Sequence, residues 1–119
     1  MSQNFQAGDF LIFQVESGYG LLRLLALTEN DGEKIWHLSA YNELFLDVDF
    51  AEMALANPQS LTLSLPHAAL TNRAFLSTQT ARMTNVPLIV EELEPFNEWM
   101  KDETAEISDR SIRLLLGLR

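Results

Sequence analysis

The chain contains no cysteine, an absence that removes a disulfide scaffold, a thiol nucleophile and a thiolate metal site together. Histidine is nearly as scarce. His37 and His67 are the only two, too few and too far apart to suggest a zinc centre of three or four ligands. No metal and no cofactor are expected. Positive charge is also in short supply, with 8 Lys and Arg against 17 Asp and Glu and a formal net charge of −9. Nucleic-acid binding leaves a basic footprint because phosphate neutralisation supplies most of the affinity, so no nucleic-acid partner is expected. An acidic surface favours solubility and complements a basic partner. No segment approaches the ~18 apolar residues of a membrane helix, and Met1-Ser2-Gln3-Asn4-Phe5-Gln6 has neither a basic flank nor an apolar signal core. The expectation is a cytoplasmic protein with no membrane partner. Catalytic signatures are missing too. There is no Gly-x-Ser-x-Gly elbow, and Gly18-Tyr19-Gly20 lacks the Lys-Ser/Thr of a phosphate loop and the third glycine of a dinucleotide fingerprint. No catalytic residue is assigned.

What is present is an apolar, strand-rich beginning. The apolar fraction is 47%, ample for a core, and 119 residues suit one domain of roughly 100–150 residues; residues 1–119 are read as that domain. Phe10-Leu11-Ile12-Phe13-Gln14-Val15 and Leu21-Leu22-Arg23-Leu24-Leu25 surround a Ser17-Gly18 break, the pattern of a β-hairpin. Asp31-Gly32 signals a second two-residue turn, followed by strands over Lys34–Ser39 and Leu44–Val48. A one-residue slip in register exchanges the faces of Trp36 and His37; Trp36 is the better candidate for the interior on size. Asp49–Ala56 reads as a short helix with Asp49 as N-cap and Glu52 three residues on, ended by Asn57-Pro58. Leu61-Thr62-Leu63-Ser64-Leu65 alternates as a half-buried strand that Pro66 stops. Residues 67–90 read as a strand or turn and then a long packed loop. A longer helix is expected near residues 89–101, with Pro95 either kinking it or opening it. Ile107–Arg119 ends too apolar for a free tail and must pack on the domain or on a partner, as strand or helix.

Three groups of residues carry candidate chemistry. Between Met53 and Val90 there is no acidic side chain, and the ionisable groups are His67, Arg73 and Arg82 amid hydroxyls and amides. Arginines in such company recognise phosphate or carboxylate through bidentate bonds. The competing explanation is internal, with both arginines tying an irregular loop to acidic groups elsewhere. Arg23 is an outside candidate, because it interrupts an apolar strand where an unpaired charge is costly to bury. Glu43, Asp47 and Asp49 form an acidic group at a strand-to-helix junction, either as paired carboxylates or, more simply, as a cap and a solvated face. Trp36, Tyr41, Phe45, Phe50 and Tyr19 crowd the first half, and most belong to the core. Any that stay exposed beside those acids make a protein-binding patch, since aromatic anchors dominate interface energetics.

The opening Gly8-Asp9, the first strand and then Gly18-Tyr19-Gly20-Leu21 resemble the start of small bacterial immunity proteins of polymorphic-toxin systems, and of SH3-like barrels generally. The likeness covers the first forty residues or so and carries no functional motif. It implies an acidic protein that occludes a toxin. The combined expectation is an α+β domain: an antiparallel, partly barrel-like (SH3-like) sheet with one short and one longer helix packed on it. The leading function is a non-enzymatic interaction protein that engages a protein partner through Trp36, Tyr41, Glu43, Asp47 and Asp49. The alternatives are an anionic-ligand or enzymatic site around His67, Arg73 and Arg82, and a structural subunit of a homo-oligomer, with the apolar C-terminus forming a homodimer.

Overall fold

A computed structural model describes residues 4–118. Met1–Gln3, where the reading of a start without a signal core begins, and Arg119, the last residue of the apolar C-terminal run, lie outside the described residues. The fold is α+β. Strands β1 (Asp9–Val15), β2 (Gly18–Asn30), β3 (Glu33–Phe45), β4 (Leu63–Thr71) and β5 (Thr80–Asn85) form one antiparallel sheet in the order β4-β3-β2-β1-β5. The outer strands β4 and β5 are not paired with each other, so the sheet stays open. Among the described residues four α-helices accompany it: α1 (Val48–Leu55), α2 (Asn72–Leu76), α3 (Val90–Lys101) and α4 (Ile112–Leu116).

Both hairpins expected from the turn residues are present. Asn30 pairs with Glu33 across Asp31-Gly32, and both turn residues have positive φ, 52° and 80°, the signature of a type I′ turn that matches strand twist. In the first hairpin Val15 pairs with Gly18, so the loop is Glu16-Ser17 and Gly18 opens β2. Gly18 is required there for two reasons. Its φ is +152°, and a Cβ would lie 2.2 Å from the Phe45 carbonyl oxygen at the end of β3.

The central strands are buried on both sides. Leu21 to Leu25 are all buried, because successive side chains point to opposite faces and each face has its own cover. One face presents Leu11, Phe13, Leu22, Leu24, Trp36 and Leu38 to α2 and α4 through Phe75 and Ile112. Trp36 stacks on Phe75 at 3.8 Å and 8°, and its Nε1–H donates to Asn72 Oδ1 at 2.9 Å. The other face presents Ile12, Leu21, Tyr41 and Phe45 to α1 and His37 to Phe96 and Trp99 of α3. Register therefore gives Trp36 and His37 opposite faces, and both are interior.

Several boundaries differ from the sequence reading. The N-cap of α1 is Asp47, whose Oδ1 accepts the Phe50 N–H at 2.9 Å; Asp49 sits in the first turn, where a negative charge suits the helix dipole. The strand around residue 65 does not stop at Pro66. β4 is an edge strand, where a missing N–H is tolerated, and a bulge opposite Ser39 absorbs it; Ser39 Oγ donates to the Pro66 carbonyl at 2.8 Å. The segment read as a long loop contains α2 and β5. Thr71 caps α2 by accepting the Ala74 N–H, a local signal masked by the lack of apolar period. Pro95 lies inside α3 rather than opening it. The C-terminal run is both forms at once, a single bridge from Ser108 to Leu70 and then α4, and it packs on its own domain through Ile112, Leu116 and Leu118.

Gly18→Ala should lower stability by about 2–3 kcal/mol, since both the dihedral and the Phe45 carbonyl must give way. Urea unfolding of the variant checks this; an unchanged midpoint would refute the close approach.

Candidate functional site

The helix-α3 face of the sheet carries a strip of buried polar side chains, Arg23, His37 and Ser39, while Asp9, also buried, alternates with Phe10 to the other face. Arg23 is 2% exposed, and its charge is met from two sides. Nε and Nη2 donate to the two carboxylate oxygens of Glu92 at 2.9 and 3.1 Å, and Nη1 donates to the Gly8 carbonyl. Its guanidinium also lies 4.2 Å from the Phe10 ring centroid, a cation–π contact. Burial opposes ionisation of Glu92, but the Arg23 hydrogen bond, the Ile89 N–H and the Arg23 charge outweigh it and hold the carboxyl below its ordinary range. Asp9 follows the same logic. Burial pushes it up, and bonds from Asn85, the Gln6 N–H and Arg82 bring it below the usual value.

A second polar element crosses three strands. Thr28 of β2 meets His37 Nε2 at 2.8 Å, and His37 Nδ1 meets His67 Nε2 of β4 at 3.0 Å. His67 is two residues from Ala69, the cross-strand partner of His37, and so shares the His37 face. Phe96 and Trp99 of α3 pack edge-on against His37 at 4.7 and 4.9 Å. Burial, with the neighbouring His67 charge adding to it, pushes His37 down to about 4, and burial also lowers His67. Both rings are therefore neutral near pH 7, and the pair acts as a hydrogen-bonded strut under α3. No group of three or more metal-ligating side chains occurs among the described residues.

The sequence candidates separate in space. His67 is on β4 and Arg82 on β5, the two opposite edges of the sheet. Arg73 ion-pairs with Asp109 at the surface, and Arg82 pairs with Asp9. Each arginine thus has an acidic partner outside the acid-free stretch, the internal role weighed above. Of the proposed interaction residues, Trp36 is 5% exposed and belongs to the core. Tyr41 is half-buried, and burial pushes its hydroxyl up to about 12. Glu43 accepts the Thr62 N–H and hydroxyl, at 2.9 and 2.6 Å, and Asp47 caps α1. Asp49 is exposed.

Phe50, one of the aromatics in the sequence reading, is exposed beside those acids; what sequence reasoning missed is the aliphatic part of that same corner. Leu46 is 80% exposed, Met53 69% and Phe50 50%, with Leu44 and Val48 also exposed. Phe50 and Met53 are three residues apart and share a flank of α1, while Ala51 and Leu55 turn inward to the sheet. Around them stand Glu43, Asp47, Asp49 and Glu52, and the sequence holds no Lys or Arg between Lys34 and Arg73. The signal available was the strand-like Leu44–Val48 run, which a buried strand explains equally well. The Arg23–Glu92 pair had half a signal, the charge inside an apolar strand; nothing distinguished Glu92 from Glu91, Glu94 or Glu98.

Two outcomes follow from the buried polar groups. Removing Glu92 alone, as Glu92→Ala, should cost about 3 kcal/mol by stranding a buried cation, while Arg23→Met combined with Glu92→Leu should cost clearly less than the two single changes summed. A double-mutant cycle in urea decides it, and strict additivity would count against the pair. For the histidines, the unfolded chain takes up protons below about 6.5 that folded His37 refuses until about 4. Stability is therefore fully present above the upper value and falls with pH through this window, by about 2 kcal/mol between pH 7 and pH 5 from His37 alone. Replacing both histidines by Asn should flatten that slope; a wild-type profile already flat there would refute it.

No protein-family model matches the chain, and no curated protein and no solved structure matches it.

Proposed function

We propose that this protein is a non-enzymatic interaction module that engages a basic protein partner through the acidic, apolar corner around α1. The observation that carries the reading is the exposure of Leu46, Phe50 and Met53 on a segment that also carries Asp47, Asp49 and Glu52 and no basic residue. Apolar side chains supply affinity once desolvated, and the surrounding negative charge supplies steering and selectivity for a basic surface. The buried polar side chains of the α3 face, Arg23, His37 and Ser39, are committed to internal bonds, which assigns that strip to structure rather than catalysis in this reading. An immunity-type role, in which this corner covers a basic toxin in the cytoplasm, is the specific form that the opening residues resemble. No helix of the described residues is long and apolar enough to cross a membrane.

The test uses two variants that leave the core intact, Phe50→Ser with Met53→Ser, and Asp49→Lys with Glu52→Lys. A partner co-purified with the wild type and then titrated as a purified protein should bind the apolar variant at least about tenfold more weakly. The charge variant should bind with a slower on-rate and a reduced salt dependence. Unchanged affinity in both, at unchanged melting temperature, would sink the proposal. A concentration-dependent mass in light scattering that Phe50→Ser abolishes would instead assign the corner to self-association.

A further inference from the structure

A cavity of about 320 Å³ lies on the α3 face, away from the exposed flank of α1, between the first turn of α3, the 3-10 turn Pro58–Ser60 and the start of β4. Its volume is at the small end of ligand pockets, room for one ring rather than for a nucleotide. The walls are apolar and rigid: the stacked Phe10–Tyr41 pair, with centroids 6.1 Å apart, and Pro58, Pro87 and Pro95. Leu63 and Ile89, both exposed, stand at its mouth.

The polar groups on the cavity decide what chemistry it accepts. Arg23 lines it, yet its charge is already matched bidentately by Glu92. The N-terminal end of α3, the other source of positive potential, is met by the same carboxylate, because Glu92 Oε1 accepts the Ile89 N–H at 3.1 Å. Neither is left to hold an anion. The charge that remains is negative, and the neutral groups beside it, the Gln59 amide and the Tyr41 hydroxyl, can both donate and accept. Glu91 lines the cavity and makes no ion pair among the described residues. Its backbone carbonyl loses its helical partner, because the residue four positions on is Pro95, which has no N–H. The Tyr41 hydroxyl lines the same space and makes no side-chain hydrogen bond among the described residues.

We propose that this cavity binds a small molecule made of one apolar ring and a protonated amine head, the ring against the Phe10–Tyr41 wall and the ammonium at Glu91. An ammonium complements the Glu91 carboxylate, which has no ion-pair partner among the described residues, and can donate to the Tyr41 and Gln59 oxygens as well. An anionic isostere would meet Glu91 with like charge and find Arg23 already paired with Glu92.

Three isosteric probes test this on the full chain by amide and side-chain NMR titration: 2-phenylethylamine, 2-phenylethanol and phenylacetate. The amine should give saturable shifts at Arg23 Nε, Leu63 and Ile89 and bind about tenfold more tightly than phenylacetate, with the alcohol between them. Leu63→Trp, at an exposed position, should block the mouth and remove binding of both amine and alcohol without lowering the melting temperature. Glu91→Gln should weaken the amine about three- to tenfold and leave the alcohol unchanged. Phenylacetate binding as tightly as the amine, equal binding of amine and alcohol, or the absence of saturable shifts at those residues would overturn the proposal. Failure here would leave the α1 corner untouched, since neither variant alters Leu46, Phe50 or Met53.

Discussion

A guanidinium buried in the middle of a sheet dictates much of how this chain is arranged. Arg23 enters β2 among leucines, where an unmatched charge would cost several kcal/mol. Its partners come from three separate segments: the Gly8 carbonyl before β1, the Pro87 carbonyl after β5 and the Glu92 carboxylate in the first turn of α3. Satisfying one side chain therefore brings the N-terminal approach, the β5–α3 connection and α3 itself to the same spot. Gly8 repeats the theme in backbone form, with its N–H donating to the Leu24 carbonyl and its own carbonyl accepting the Val86 N–H.

That demand explains the difference between the two faces of the sheet. The face under α2 and α4 is held by dispersion and apolar burial, with Trp36, Phe75 and Phe5 packed ring on ring. The face under α1 and α3 mixes apolar contacts with a polar strip running through Arg23, Ser39 and the His37–His67 pair. Apolar packing tolerates small shifts, whereas hydrogen-bonded buried charges fix one arrangement. The α3 face is accordingly where rigid cavity walls and a carboxylate without an ion-pair partner among the described residues, Glu91, occur together. At the α1 corner the same acidic chain leaves apolar side chains uncovered, and there the molecule has contact area to offer.

Much of the architecture was legible because its causes are local. Asp31-Gly32 needs two positive φ values and so declares its turn; the leucine-rich runs declare strands; Leu93, Phe96, Trp99 and Met100 declare α3. The errors were also local in origin. Pro66 reads as a strand breaker, but at a sheet edge with a bulge its lost N–H has no partner to miss. Asp47 and Asp49 are equivalent caps on paper, and only the extended backbone of Asp47 (φ −148°, ψ 173°) selects it. Helix α2 and strand β5 lacked apolar period because each is short and covers the sheet with one or two side chains.

The order of residues alone determined the α+β class, the early meander, the acidic balance and the absence of thiol chemistry, since these depend on composition, turn stereochemistry and periodicity within a few positions. Pairings across long separations were decided by the tertiary structure alone: Arg23 with Glu92, His37 with His67, Arg82 with Asp9, Arg73 with Asp109. A side chain's partner across the fold depends on which strands become neighbours and how they are bulged, and the chain has many equivalent acids to choose from. Exposure is settled the same way, which is why Trp36 went to the interior while Phe50, the smaller aromatic, was left facing outward beside the carboxylates.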